Sequence, residues 1–203
     1  MLVKYLSSTR TYSYKNIRVE VPAGVFHPKF FYSTKLLLRY LDGLALKQKS
    51  ILELGAGSGL IAMYAAQKGA YVTATDINPV AVEYLRKNSI ANSVDMQIIH
   101  SDMFKNIPAK KFDIIAINPP YYKRSATNYE EHAWYCGKHG EYFQQLFSGL
   151  ANYTHESSKV MMVLSDACDL MMIETFANRN GFIMKLAYQT KNLVERNYIF
   201  QIN

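Results

Sequence analysis

From Ser50 to Leu164, short apolar runs alternate with stretches of helical spacing, and this alternation restricts the fold more than any other feature of the 203-residue sequence. Ser50 to Leu54, Tyr71 to Thr75, Gln97 to His100, Phe112 to Ile117 and Val160 to Leu164 read as strands. Between them, Leu60 to Lys68 sets Leu60, Ile61, Met63, Tyr64 and Ala65 at helical spacing, and Pro79 to Ala91 opens with a proline that a first helical turn tolerates. Further helices are expected from Tyr142 to Asn152 and from Cys168 to Asn180, the latter closed by Gly181 in a left-handed cap. The unbroken Ile114-Ile115-Ala116-Ile117 run suits a central strand buried on both faces. Phe182 to Gln189 and Asn197 to Ile202 read as two closing strands, antiparallel and closely connected. The pattern predicts an α/β, doubly wound, mostly parallel sheet with helices on both faces and ligands beyond the carboxyl ends of its strands. Ahead of it, Lys15 to Val21 alternates like an edge strand or hairpin arm, and Ser33 to Leu44 reads as a helix packed on the sheet.

Composition narrows the setting. The length supports one well-buried core and no linker interrupts it, so residues 1–203 are expected to form a single domain, with 1–44 an extension of the same domain. No apolar run reaches membrane-spanning length, and the leading residues lack the apolar core of a signal peptide. Two cysteines, Cys136 and Cys168, fit a reducing compartment, with the cytoplasm the expected location. A net charge of +7 tilts the choice of partner toward an anion such as RNA, DNA or a ribonucleoprotein. In the leading segment, Lys4, Arg10, Lys15 and Arg18 interleave with Tyr5, Tyr12 and Tyr14. That composition suits nucleic-acid contact, and equally a solvated hairpin whose tyrosines are half buried on the core.

Three groups of residues carry chemistry. Glu53-Leu54-Gly55-Ala56-Gly57-Ser58-Gly59 lies between the first strand and first helix of the alternation, where glycines allow a tight turn and close approach to a ligand. A dinucleotide fingerprint would want glycine where Leu60 stands, and an acid at Glu53 suits a cationic amino acid better than a pyrophosphate. Both features point to S-adenosylmethionine rather than NAD. Asp76 ends the next strand, where an acidic side chain accepts from ribose hydroxyls, with Ile77 beside the adenine. Asp102 is expected to accept from the adenine amine, with Met103 and Phe104 packed on the ring. For either aspartate the alternative is a helix cap or turn residue.

The third group is Asn118-Pro119-Pro120-Tyr121 at the end of the most apolar strand. A planar NH2 nitrogen is a poor nucleophile because its lone pair is delocalised, so a catalyst must hold it near the electrophile and draw its hydrogens to fixed acceptors. Asn118 offers an amide oxygen, its own or the Pro119 carbonyl offers a second, and two prolines stiffen the turn while withholding N–H donors. Tyr121 offers a ring for a flat group to lie on. The following stretch, Tyr122 to His139, is the expected substrate loop, with Tyr122, Lys123 and Trp134 as contacts and Arg124, Tyr129 and Tyr135 nearby. Glu130, Glu131 and Glu141 oppose a purely basic surface there, and Trp134 either stacks on substrate or packs as a lid. His132, Cys136 and His139 have ligand-like spacing but lack a fourth partner, so no metal is expected.

These residues together resemble class I S-adenosylmethionine-dependent methyltransferases of the small-domain type, and most of all the release-factor glutamine methyltransferases. Gly24-Val25-Phe26-x-Pro28, Thr34 and Leu36-Leu37-Leu38 are similar to the segment that closes over the cofactor in that family, which implies that residues 1–44 cover the cofactor and substrate side and adds Phe26 to the cofactor contacts. The resemblance implies a seven-stranded sheet with its last strand antiparallel. It also implies methyl transfer to a planar amide nitrogen, with a release-factor-like protein as partner. The bacterial members usually carry an N-terminal helical recognition domain that this chain's short leading segment does not match. The same four-residue signature occurs in adenine and guanine amino-methyltransferases, which keeps RNA, DNA or a ribonucleoprotein open as substrate. A scaffold that binds cofactor without catalysis would be expected to have altered the asparagine or the glycine turn.

Overall fold

In the computed structural model, which describes residues 7–191 and 195–203, the alternating segments build one seven-stranded sheet and the leading segment builds a separate hairpin. Strands β1 (Arg10–Tyr14) and β2 (Ile17–Val21) pair antiparallel around Lys15, whose φ of 51° sits in the left-handed region of a tight turn. The expected arm from Lys15 therefore begins two residues later, and its partner β1 was hidden because Arg10-Thr11-Tyr12-Ser13-Tyr14 carries no aliphatic residue. Lys4 and Tyr5 lie outside the described residues. Ile17, Val19 and Val21 face the core, and Tyr12 and Tyr14 pack partly buried against it, which favours the solvated-hairpin reading.

The hairpin is held by two asparagines, Asn88 within the helix Pro79–Ala91 and Asn92 at its C-terminal cap. Asn88 accepts from the Glu20 N–H at 2.8 Å and donates to its carbonyl at 2.9 Å, and Asn92 treats Arg18 the same way at 2.9 and 2.7 Å. Two carboxamides one helical turn apart thus imitate a neighbouring strand and satisfy the β2 edge.

Helix α1 (Tyr32–Asp42) buries Leu36, Leu37, Leu38 and Leu41. The main sheet then follows as β3 (Ser50–Leu54), β4 (Tyr71–Asp76), β5 (Gln97–His100), β6 (Ile114–Ile117), β7 (Lys159–Ser165), β8 (Met184–Lys191) and β9 (Arg196–Ile202). Between these strands run α2 (Leu60–Gln67), α3 (Pro79–Ala91), α4 (Glu141–Leu150) and α5 (Leu170–Arg179). The spatial order is β5-β4-β3-β6-β7-β9-β8, parallel except where β9 runs antiparallel to β7 and β8. The link between the two closing strands lies outside the described residues.

All four residues of β6 are buried, and one core packs on each face of the sheet. Strand β6 starts at Ile114 rather than Phe112 because the Phe112 N–H donates to the Tyr153 carbonyl. Asp113 instead turns its carboxylate to the N–H and hydroxyl of Ser50 at 2.8 and 2.9 Å. From β3 the chain winds outward to β5 and then returns to the other side of β3 with β6. The crevice at the carboxyl ends of β3 and β6 is therefore the switch point where such sheets receive ligands. Among the described residues no helix is long and apolar enough to cross a membrane.

Candidate active site

A cavity of about 810 Å³ opens at that switch point, within the size range of small-molecule sites. Its floor is the turn from β3 into α2. Gly55 holds φ at 69°, and a side chain built there would meet nothing within 4 Å, so the wall is kept open toward the cavity. Gly57 and Ala56 line the same wall. Gly59 does not. At φ 83° it begins α2, and a Cβ on it would sit 2.0 Å from Leu85 Cδ1, so this glycine serves the close packing of α2 on α3.

Asp76 ties the turn together. Its Oδ2 accepts from the Gly57 N–H and its Oδ1 from the Asn78 N–H, both at 2.8 Å, while Asn78 caps α3 through the Val80 N–H. Burial pushes the Asp76 carboxyl above the usual carboxylate range, opposed by those amides. Asp76 is thus a turn residue and a cavity residue at once. Glu53, beside it, is 5% exposed, and burial pushes its carboxyl up to about 8, with Asp76 adding to the rise and the Ala62 amide opposing it. Its Oε2 is buried without a hydrogen-bond partner.

Further along the wall come Ile77, Asp102 and Met103. Ser101 holds this turn by donating to the Met103 carbonyl and accepting from the Asn106 N–H, and Met103 takes φ 49°. Asp102 also pairs with Lys105 at 2.5 Å. Phe104, expected on the adenine, turns the other way and stacks on Tyr153 with centroids 4.6 Å apart, because the second core takes its ring. Opposite, α4 contributes Tyr142, Gln145 and Ser148. The sequence gives these no motif, since they mark only the polar side of an amphipathic helix.

Asn118 leaves β6 into the cavity, followed by Pro119, Pro120, Tyr121 and Tyr122, all of them in its lining. Neither proline has an N–H, and the next two N–H groups, of Tyr121 and Tyr122, both donate to the Trp134 carbonyl at 3.2 and 3.0 Å. The segment after the signature folds back and pairs with it, through the Cys136 N–H to the Tyr122 carbonyl at 3.0 Å and a Tyr122–Tyr135 bridge. Burial raises the Tyr121 phenol, so it stays protonated at neutral pH.

Above this, Trp134 packs on Phe26 and Phe31 with centroids 5.4 and 5.0 Å apart, and the side chain of Glu130 covers Gly24 so closely that a Cβ there would lie 2.4 Å from Glu130 Cδ. Residues 24–31 and 122–137 therefore form one roof. Lys123, expected at the substrate, belongs to the second roof segment but does not reach the cavity. Its Nζ is held 2.8 Å from Asp169 at the cap of α5, and its side chain does not line the cavity. Two acids hold the loop itself: Glu131 within it accepts from Thr127 at 2.7 and 2.8 Å, and Glu141, at the start of α4, accepts from the His139 N–H at 3.0 Å. Among the described residues no three His, Cys, Asp or Glu side chains gather as metal ligands.

This sheet order with a ligand cavity at its switch point defines a Rossmann-like cofactor-binding protein. The methyltransferase small domain family model matches residues 16–134, and the chain belongs to that family. It is an S-adenosylmethionine-dependent methyltransferase. A Methanocaldococcus jannaschii protein, provisionally named an N5-glutamine methyltransferase, is 34% identical over 68% of this chain and 74% of its own length. A tRNA1(Val) adenine-N6 methyltransferase of a Flavobacteriaceae bacterium is 40% identical over 39% of this chain and 36% of its own length. A Rickettsia typhi bifunctional methyltransferase is 28% identical over 92% of this chain, which spans 38% of that protein. In fold, the chain is similar to the T. thermophilus 16S rRNA N2 G1207 methyltransferase in complex with AdoMet and guanosine, with TM-score 0.69, 21% identity and coverage of 96% of this chain and 51% of that one. It is also similar to the E. cuniculi Mtq2-Trm112 complex, with TM-score 0.67, 20% identity and coverage of 89% and 98%.

Proposed function

We propose that this methyltransferase acts on a planar NH2 nitrogen held by Asn118, and that the nitrogen is the side-chain amide of a glutamine in a protein of the release-factor kind. The observation that carries the reading is the polarity of the signature turn. Two prolines without N–H groups are followed by two N–H groups both spent on the Trp134 carbonyl, so from Pro119 to Tyr122 the backbone of the turn offers carbonyl acceptors and no N–H donor to an incoming NH2 group.

The fit of the cofactor rests on the open wall at Gly55, the unpartnered Glu53 oxygen and the size of the cavity. S-adenosylmethionine supplies an electrophilic methyl group on a sulfonium. In this reading Glu53, Gly55, Ala56 and Gly57 hold its amino acid end, Asp76 uses the lone pairs left by its two amide bonds for the ribose hydroxyls, and Ile77, Asp102 and Met103 surround the adenine. Phe26 covers it as part of residues 1–44. Asn118 and the adjacent carbonyl orient the nitrogen and stabilise the positive charge that grows on it, and Tyr121 supports the flat group. No side chain removes a proton before attack, and the excess proton leaves to solvent afterwards.

A nucleobase amine is the second reading. It is favoured by the adenine-N6 relative and by Tyr122 and Tyr129, which stand 46% and 50% exposed at the mouth where a base could stack. Incubation of the enzyme and labelled cofactor with cell lysate, with and without ribonuclease, tests the choice. Label that survives ribonuclease and is lost to protease supports a protein; label lost to ribonuclease overturns glutamine.

A further inference from the structure

Glu53 stands next to the last residue of β3, in the cavity wall, with one carboxylate oxygen buried and unpartnered. An ionised carboxylate in that position is costly unless a cation comes beside it, so in isolation the neutral acid is the stable form. The neighbouring elements bring little relief. From α2 comes the Ala62 amide, from β4 comes the repelling carboxylate of Asp76, and from β6 comes the uncharged Asn118. His100, at the end of β5, acts on Asp76, and the buried Tyr142 phenol of α4 is likewise coupled to Asp76.

We propose that Glu53 carries a proton in the cofactor-free enzyme and surrenders it to solvent when the α-ammonium of S-adenosylmethionine settles beside Oε2, so that cofactor uptake releases one proton. The inference rests on the reading that Glu53 faces the amino acid end of the cofactor. The O–H bond of the carboxylic acid breaks, the proton goes to buffer base, and an ion pair replaces it. Nothing is oxidised or reduced. The free enzyme holds one proton more than the complex, so cofactor affinity rises with pH by up to about tenfold per unit below the plateau. The rise ends near pH 8, where Glu53 ionises without help and the α-ammonium of the free cofactor begins to lose its own proton. S-adenosylhomocysteine keeps the ammonium but not the sulfonium charge, whereas 5′-methylthioadenosine has no amino acid at all. Proton release should therefore accompany the first and not the second.

Isothermal titration of the enzyme at pH 7 in buffers of differing ionisation enthalpy measures the count. The expected result is about one proton released with S-adenosylmethionine and with S-adenosylhomocysteine, and about none with 5′-methylthioadenosine. Glu53→Gln, which matches the neutral acid in shape, should release none and bind with an affinity that no longer rises between about pH 6 and 7.5. If the wild-type heat is independent of buffer while Glu53→Gln still weakens binding at pH 7, the proton coupling is overturned and the placement of Glu53 survives. If Glu53→Gln changes neither affinity nor proton count, both fall. Equal release with 5′-methylthioadenosine assigns the proton to another group and also overturns the proposal.

Discussion

Asn118 and Asp76 sit in the same cavity and should fail in different ways. Asn118→Ala removes an acceptor that acts on the reacting nitrogen, so turnover should fall by about 10²–10³-fold with cofactor affinity unchanged, read by methyl transfer and by titration calorimetry. Asp76→Ala removes the acceptor for the Gly57 and Asn78 N–H groups, so the cofactor dissociation constant should rise before turnover does. Gly59→Ala would force a Cβ into Leu85 at a positive φ, and thermal unfolding should show a loss of about 1–3 kcal/mol. Asn118 and Asp76 were readable in the sequence because their position at a strand end and their chemical type suffice. The reason for Gly59 was not, since it depends on Leu85, which is distant in sequence. Lys123 and Phe104 misled because composition names a side chain without giving its direction: one is claimed by Asp169 and the other by Tyr153.

The roof is the element-scale question. Trp134 joins the two covering segments through Phe26 and Phe31, and its carbonyl also holds the signature turn. Trp134→Ala leaves the carbonyl in place and removes only the ring, so it should speed cofactor dissociation while Trp134→Phe stays near wild type, as stopped-flow displacement would measure. Equal dissociation rates in all three proteins would show that the aromatic contact does not hold the roof. Strands β3 to β7 and the helices between them were legible within a residue or two because periodicity and burial coincide there. Strand β1 was not, because its side chains are polar or aromatic and its pairing is set by β2 and by the asparagines of α3. The path of residues 122–137 was also hidden, because it is fixed by backbone bonds to the signature rather than by its own pattern.

Across the whole molecule, the buried carboxylates tie stability to pH. Burial pushes the folded-state carboxyl of Glu53 up to about 8 from the 4.5 of an exposed glutamate, so the folded protein binds more protons than the unfolded chain between those values. Stability of the cofactor-free enzyme should therefore fall as pH rises from about 4.5 to 8, by at most about 5 kcal/mol from this group. Glu53→Gln should flatten the curve and S-adenosylmethionine should counter the fall, both visible as melting temperatures across that range. The sheet and its switch point follow from the alternation of apolar runs, which is why the position of the site could be read before its chemistry. The substrate could not, because acceptor oxygens suit any planar NH2 group. The decisive measurement is a crystal structure with S-adenosylmethionine bound. The amino acid end should lie beside Glu53, with the S–CH3 bond aimed at the space next to Asn118. A sulfonium turned away from Asn118, or a cofactor bound outside the cavity, would contradict it.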